Sequence, residues 1–338
     1  MESLLIKGDN NKVLPKLHKN YLGKIDLIYV DIPFNTGGKF NSCEIGGTTV
    51  SKTANSKIAY SDNMRFDEYL SFIKNTLILS KPLLSEKGSI YLHIDCKTGH
   101  YIKIIMDEVF GMENFKNDIT RIKSNPKNFE RKAWGNQKDV ILFYVISEKN
   151  IWNNVMMPMT KDDERRYNKE DEKGKYTTVP CHAPGETIDG ETGMSWKGML
   201  PPVGRHWRYA PSVLDKLDAE GRIEWSKSGN PRIKNYFSEK LGKVYQDVWI
   251  FKDPQNPIYP TEKNANMLDL IVKQSSNENS VVLDFFCGSG TTLLAAQKNG
   301  RYFIGVDSSE DAINSCIKKI PANSYKYVLD SDEILNFD

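Results

Sequence analysis

Residues 280–307 read SVVLDFFCGSGTTLLAAQKNGRYFIGVD, and the order of residue types in this stretch decides the fold. An apolar run ends on Asp284, a turn holds Gly288 and Gly290, a segment of helical period opens on Thr291 and Thr292, and a second apolar run closes on Asp307. Strand, tight turn, helix and a further buried strand make the repeating unit of an α/β sheet. Glycine lets the backbone pass close to a ligand, and the free amides of a helix's first turn can face a carboxylate or phosphate. A carboxylate ending the next strand, as Asp307 does, can accept hydrogen bonds from both hydroxyls of a ribose. The stretch describes a nucleoside-binding site, although glycines also serve ordinary strand-to-helix turns. A pyrophosphate cradle is disfavoured, because a dinucleotide fingerprint reads GxGxxG and this turn reads CGSGTT behind bulky Phe285 and Phe286.

Outward from that unit the same alternation recurs. Apolar runs at residues 4–6, 24–30 and 89–94 alternate with helical periods at 10–18 and 66–84, which predicts a buried, largely parallel sheet. Runs at 118–123 and 139–146 flank a basic loop and predict an antiparallel edge hairpin. Between residues 147 and 248 the character changes to charge clusters, Gly, Pro and Trp, the mark of an irregular insertion. A helix over 264–275 then leads back to the glycine turn. The chain divides into 1–146, an insertion over 147–248, and 249–338, with one sheet built from both ends.

Composition narrows the function. With 338 residues and 39% hydrophobic content the chain can bury a full core. Lys and Arg (46) nearly cancel Asp and Glu (44), so any contact with nucleic acid must come from local patches. The five cysteines, Cys43, Cys96, Cys181, Cys287 and Cys316, form no CxxC pair, which fits reduced thiols in a cytoplasm and neither a disulfide framework nor a metal site. No apolar run has membrane-spanning length, the N-terminus does not read as an export leader, and no internal repeat is evident. These features predict a cytoplasmic protein with no membrane or metal partner.

A second motif lies in KIDLIYVDIPFNTGG, where Asp31, Ile32, Pro33 and Phe34 stand at the C-terminal end of a buried strand, the place where open α/β sheets collect ligands. The combination suits methylation of an exocyclic amine, whose lone pair is delocalised into its ring. The Asp31 carboxylate and the Ile32 carbonyl, accepting the two N–H bonds, would favour a pyramidal nitrogen and stabilise the positive charge that develops on attack. Phe34 would stack on the base, and Pro33 holds the Ile32 backbone extended. Asp and Pro also punctuate plain turns, so the motif draws its force from its pairing with the glycine turn.

Together DIPFNTG and FCGSG resemble the signatures of the amino-methyltransferases of restriction-modification systems, an Asp-Pro-Pro-Tyr tetrapeptide and a Phe-x-Gly-x-Gly turn. The catalytic motif precedes the cofactor motif, which is similar to the beta-class order. That resemblance implies a circularly permuted Rossmann-like sheet, S-adenosyl-L-methionine as methyl donor, double-stranded DNA as substrate, the insertion as target-recognition region, and a companion restriction endonuclease and a homodimer as possible partners. It places Asp9, Asp31, Thr261, Lys263, Asp284, Phe286, Gly288, Gly290, Thr291 and Asp307 around the cofactor, with Thr261 and Lys263 carried over from the YPTEKN segment. GSIYLHIDCKTGH and PPVGRHWRY also resemble stretches of the family. The chain departs from the pattern at Ile32, Phe34 and Asn264. Phenylalanine keeps the stacking face of tyrosine, whereas Ile32 gives up rigidity at the gripping carbonyl and leaves open a weakened, DNA-binding relative. An opening Asp favours adenine N6, with cytosine N4 as the alternative.

A base inside a duplex must be flipped out to reach such a site. Lys and Arg outnumber Asp and Glu over residues 113–138 and 221–243, enough to neutralise phosphates locally. Lys123, Lys127, Arg131, Lys132 and Trp134 around the hairpin loop, and Arg205, Trp207, Arg208 and Tyr209 in the insertion, are the candidate DNA contacts; a solvated loop is the plainer reading of any one of them. Pro180-Cys181 resembles the nucleophile of C5-cytosine methyltransferases but lies in the irregular insertion, outside a matching context. His93 and Asp95 near a strand end border the candidate pocket or serve local hydrogen bonds.

Overall fold

The computed structural model describes residues 1–33, 39–42, 57–61, 65–126, 132–255 and 262–330, with the backbone alone for 39–42 and 57–61. These form two compact units, Met1–Val155 with Gln246–Asp338, and Met156–Tyr245. The second unit is narrower at both ends than the expected 147–248. At its leading end the Asn153 side-chain amide donates to the Lys273 and Ser276 carbonyls at 2.8 Å each, which fastens that stretch to the first unit.

The first unit opens with β1 (Leu4–Lys7), α1 (Asn10–Tyr21), β2 (Ile25–Asp31), the paired β3 (Lys39–Ser42) and β4 (Lys57–Ser61), α2 (Phe66–Ser80), β5 (Leu84–Asp95), α3 (Gly99–Phe110), β6 (Phe115–Ile122) and β7 (Lys138–Val145). The second unit holds β8 (Met156–Met157), α4 (Lys161–Glu164), β9 (Lys169–Asp171), β10 (Gly174–Pro180), β11 (His182–Pro184), β12 (Arg205–Trp207), α5 (Pro211–Ala219), β13 (Ile223–Trp225), β14 (Pro231–Tyr236) and β15 (Lys243–Val244). Its sheets are antiparallel, one ordered β13-β14-β10-β9 with two-stranded pairs β11-β12 and β15-β8. Its core is small, built from Cys181, Trp196, Trp207, Leu214, Ile223 and Ile233.

The chain then returns through β16 (Val248–Ile250), α6 (Ala265–Ser275), β17 (Val281–Asp284), α7 (Thr291–Lys298), β18 (Tyr302–Asp307), α8 (Glu310–Lys319) and β19 (Lys326–Leu329). The main sheet runs β16-β6-β7-β5-β2-β17-β18-β1-β19 and is parallel except where β7 pairs with β5 and β6. β2 pairs with β17, Ile28 opposite Leu283, so the two ends of the chain share one sheet. The sequence predicts the hairpin of β6 and β7 at the edge; instead β16 adds parallel to β6 outside it. Three residues carry too short an alternation to be read as a strand.

Side chains alternate faces along a strand, and this alternation aims the site. Ile28, Val30, Ile90, Leu92, Leu283, Ile304 and Val306 pack with Leu14 and Leu17 of α1, Ile73 and Leu77 of α2 and Met106 of α3. The intervening residues Tyr29, Asp31, His93, Asp284 and Asp307 therefore point to the opposite face. On that face α7 lies so close to β18 that a Cβ on Gly305 would sit 2.3 Å from Leu293 Cδ1. Among the described residues no helix is long and apolar enough to cross a membrane.

Candidate active site

β2, β17, β18 and β1 are neighbours, so their C-terminal ends bring the two sequence motifs together. Asp31 is the last residue of β2 and is 18% exposed at its side chain. Its Oδ2 lies 2.6 Å from Lys263 Nζ. Its Oδ1 is buried and accepts no hydrogen bond among the described residues. Ile32, one residue on, is 2% exposed and belongs to the core that faces α1–α3. Burying that side chain restrains the backbone at the position where the expected motif has a proline. Pro33 is half-buried; Phe34 lies outside the described residues.

The glycine turn has the predicted form. Gly288 and Gly290 have φ of 48° and 74°, in the left-handed region that favours glycine, and Gly290 caps α7. A Cβ on Gly290 would lie 2.7 Å from Cys316 Sγ on α8. Asp307 ends β18, where its Oδ2 accepts from the Gly288 N–H (2.9 Å) and its Oδ1 from the Ser309 N–H (2.9 Å). Asp284 is 2% exposed and accepts from the Phe286 N–H at 3.2 Å. Burial pushes the Asp284 carboxyl up to about 7; the charges of Asp31 and Asp307 add to the rise, against hydrogen bonds from Thr292 and the Phe286 N–H. Burial raises Asp307 as well. Phe286 is half-buried and edge-on to Phe72, 6.1 Å between centroids. Gly8 N donates to the Asp307 carbonyl at 3.0 Å, which brings the next residue, the exposed Asp9, to the same edge. There Asp9 caps α1 through the Asn11 N–H, a local role in addition to the one expected.

Two side chains at the turn escaped the sequence reading. Lys319, at the end of α8, pairs with Glu262 and reaches Ser289 Oγ and Thr291 Oγ1 at 3.3 and 3.2 Å. Glu262 and Lys263 thus fasten one two-residue segment to both the cofactor turn and the catalytic strand. The only local signal was their adjacency in YPTEKN; Thr261 of that segment lies outside the described residues.

Behind Asp31 a line of charge crosses the sheet. His93, fully buried on β5, sits opposite Asp31 in register, with Nδ1 3.7 Å from Asp31 Oδ1 and 2.9 Å from the Tyr29 hydroxyl. Its Nε2 is 3.4 Å from Asp139 Oδ2 on β7. Asp139 also meets Lys123 Nζ at 2.6 Å and Arg121 Nη1 at 3.6 Å. Arg121 is fully buried, pairs with Asp253 and donates through Nε to the Phe251 carbonyl at 2.8 Å. Burial works to raise Asp139, but hydrogen bonds and charge from His93 and Lys123 outweigh it and hold the carboxyl well below its usual range. Asp95, by contrast, serves its own turn, accepting from the Thr98 N–H at 3.0 Å and the Thr98 hydroxyl at 2.7 Å.

The candidate DNA contacts separate. Lys132 and Trp134 on the hairpin loop are exposed, Trp134 at 99%, whereas Lys123 is engaged with Asp139. Lys127 and Arg131 lie outside the described residues. In the second unit Arg205, Arg208 and Tyr209 are exposed. Trp207 corrects the expectation: it is 2% exposed, packs edge-on to Trp196 at 5.8 Å and donates Nε1 to the Met194 carbonyl, so it is core. Arg205 and Trp207 lie two apart on β12, and only Trp207 reaches the cluster formed with Trp196 and Leu214 of α5. Cys181 is buried in the same core and its thiol is pushed up to about 11 by burial, which opposes the thiolate that a C5 nucleophile requires.

The fold and site are those of an α/β protein that binds a nucleoside cofactor beside a strand-end carboxylate. A DNA methylase family model matches residues 25–319, and the chain belongs to that family. It is 42% identical to the type II methyltransferase M.EcaI of Enterobacter cloacae over 306 residues, 88% of this chain and 64% of that protein. It is 26% identical to the StyLTI Mod subunit, a type III restriction-modification enzyme of Salmonella typhimurium, over 86% of this chain and 49% of that one. The chain therefore spans about half to two thirds of the length of these curated relatives. Among solved structures, PvuII DNA methyltransferase (cytosine-N4-specific) superposes with a TM-score of 0.53 at 10% identity, over 100% of this chain and 94% of that one. A DNA modification methylase of Thermus thermophilus, complexed with S-adenosyl-L-methionine, gives 0.51 at 14% identity, over 98% and 99%. Both share the fold.

Proposed function

We propose that the chain transfers a methyl group from S-adenosyl-L-methionine to an exocyclic amine of a DNA base, adenine N6, as the modification component of a restriction-modification system. The observation that carries this reading is the 2.6 Å contact of Lys263 with Asp31, which joins the cofactor half of the chain to the DIPF motif. The residues present fit the donor: its sulfonium and α-ammonium are cations, and the buried carboxylates Asp284 and Asp307, both raised by burial, are complementary to a cation. Asp284, Asp307, Phe286, Thr291, Asp9 and the amides around Gly288 and Gly290 would hold it. It supplies an electrophilic methyl group.

The chain's own residues do the rest. The unpartnered Oδ1 of Asp31 and the Ile32 carbonyl accept the amine's two N–H bonds, which localises the nitrogen lone pair and stabilises the charge that grows on it. Lys263 keeps the other oxygen of Asp31 occupied, so the carboxylate presents one face to the base. Phe34 is the stacking residue of this reading. Arg205, Arg208, Tyr209, Lys132 and Trp134 are the proposed DNA contacts, and residues 156–245 the target-recognition unit, with a companion endonuclease reading the same site.

The opening Asp of the motif favours adenine N6; cytosine N4 is the second reading, favoured by the fold shared with a cytosine-N4-specific enzyme. Incubation with tritiated S-adenosylmethionine and unmethylated duplex DNA, followed by digestion to nucleosides, tests both. N6-methyldeoxyadenosine is the expected product. N4-methyldeoxycytidine moves the reading to its alternative, and cofactor binding with no label on any DNA removes it.

A further inference from the structure

We propose that His93 is a positioning residue behind Asp31 that takes up the proton the amine sheds. The inference rests on the methyl-transfer reading above. An exocyclic amine that gains a methyl group must lose one N–H proton, and its destination has to be near Asp31. Nδ1 of His93 is 3.7 Å from Asp31 Oδ1, the oxygen assigned to the amine, and the imidazole is fully buried.

The groups around the ring set its state. Asp139 on β7, 3.4 Å from Nε2, favours the neutral tautomer that carries its proton on Nε2. Nδ1 is then a lone pair facing Asp31 and the Tyr29 hydroxyl of β2, which donates to it at 2.9 Å. Lys263 stands beyond Asp31, and Arg121 and Lys123 of β6 stand beyond Asp139. The cations Lys263, Arg121 and Lys123 offset the carboxylates Asp31, Asp139 and Asp253, so the line is balanced with the ring neutral. Burial lowers the His93 pKa, against the pull of Asp139 and Asp31, and keeps that neutral state at rest.

During transfer the amine N–H bond breaks with its electron pair left on nitrogen, and the proton bonds to Asp31 Oδ1. It then passes to Nδ1 of His93, which restores the Asp31 carboxylate beside Lys263. The imidazolium so formed lies between two carboxylates, Asp31 and Asp139. The Tyr29 hydroxyl turns from donor to acceptor at the same distance. A purely structural histidine would not need its Nδ1 turned toward the catalytic carboxylate.

Single-turnover methyl transfer across pH 5–9 tests the role, since it isolates chemistry from product release. The wild-type rate is expected to fall on the acid side as Nδ1 becomes protonated. His93→Gln should transfer about tenfold or more slowly on the plateau, lose that acid limb, and keep KM for DNA and cofactor. Because glutamine at a buried position can disturb packing, Asp139→Asn provides a second variant, expected to share both defects through loss of the tautomer. His93→Gln within twofold of wild type, or slowed with its acid limb intact, overturns the proposal. The chain has five histidines, so nitrogen NMR of the labelled, unliganded protein gives a readout apart from activity: His93 neutral with Nε2 protonated is expected, and an Nδ1-protonated tautomer overturns the role. Absence of label with wild-type protein defeats the methyl-transfer reading and this role with it; label with wild type and an unchanged limb in the variant defeats His93 alone.

Discussion

The two halves of the sheet's carboxyl edge handle charge in opposite ways. Along β2, β5, β7 and β6, Asp31, Asp139 and Asp253 are each met by Lys263, Lys123 or Arg121. Along β17 and β18, Asp284 and Asp307 are held by backbone N–H groups and by Thr292, with no lysine or arginine paired to them among the described residues. The first half is complete without a ligand. The second is a carboxylate site whose charge is uncompensated, and a cationic cofactor is what such a site lacks. The difference separates the fixed machinery of the reaction from the place that must be filled.

Breaking the balanced half should cost most. Arg121→Met leaves Asp139 and Asp253 short of a buried cation, and denaturant unfolding should show a loss of about 3–5 kcal/mol; an unchanged midpoint would mean that the pairs contribute nothing. Lys263→Met should slow methyl transfer about tenfold and weaken cofactor binding, because the same side chain touches Asp31 and ends the segment that fastens the turn. Normal kinetics for that variant would cut the link between the two motifs.

The unbalanced half predicts an effect of opposite sign. The folded pKa of Asp284 is raised to about 7, so its favourable contribution is complete below the unfolded carboxylate range and is lost as pH rises through 7. Asp284→Asn keeps the acceptor for the Phe286 N–H without the charge. In the absence of cofactor its Tm should exceed that of wild type by a few degrees at pH 8, with the gap closing toward pH 4, while its cofactor affinity falls. Equal Tm values at both pH values would show that the carboxylate is not under strain.

Local pattern carried much of this. The strand ends at Asp31, Asp284 and Asp307 and the turn at Gly288 and Gly290 were legible because a period of two, a turn and a period near 3.6 are written in neighbouring residues. What the sequence could not show depends on partners far apart in it. Lys263 meets Asp31 only because β17 pairs with β2, and Glu262 meets Lys319 only because α8 returns beside the turn. Lys263 was expected at the cofactor and stands on the catalytic carboxylate. Trp207 read as surface because it sits in a basic-aromatic run, yet Trp196 and α5 enclose it. The three residues of β16 are too few to announce a strand, so the hairpin was taken for the edge.

The most direct test of the central claim, that Asp31 grips the amine while the glycine turn holds the donor, is Asp31→Ala measured twice, by calorimetric binding of S-adenosylmethionine and by single-turnover label transfer to DNA. The account predicts transfer reduced by at least about 10²-fold with cofactor affinity largely kept. Turnover at the wild-type rate would contradict it.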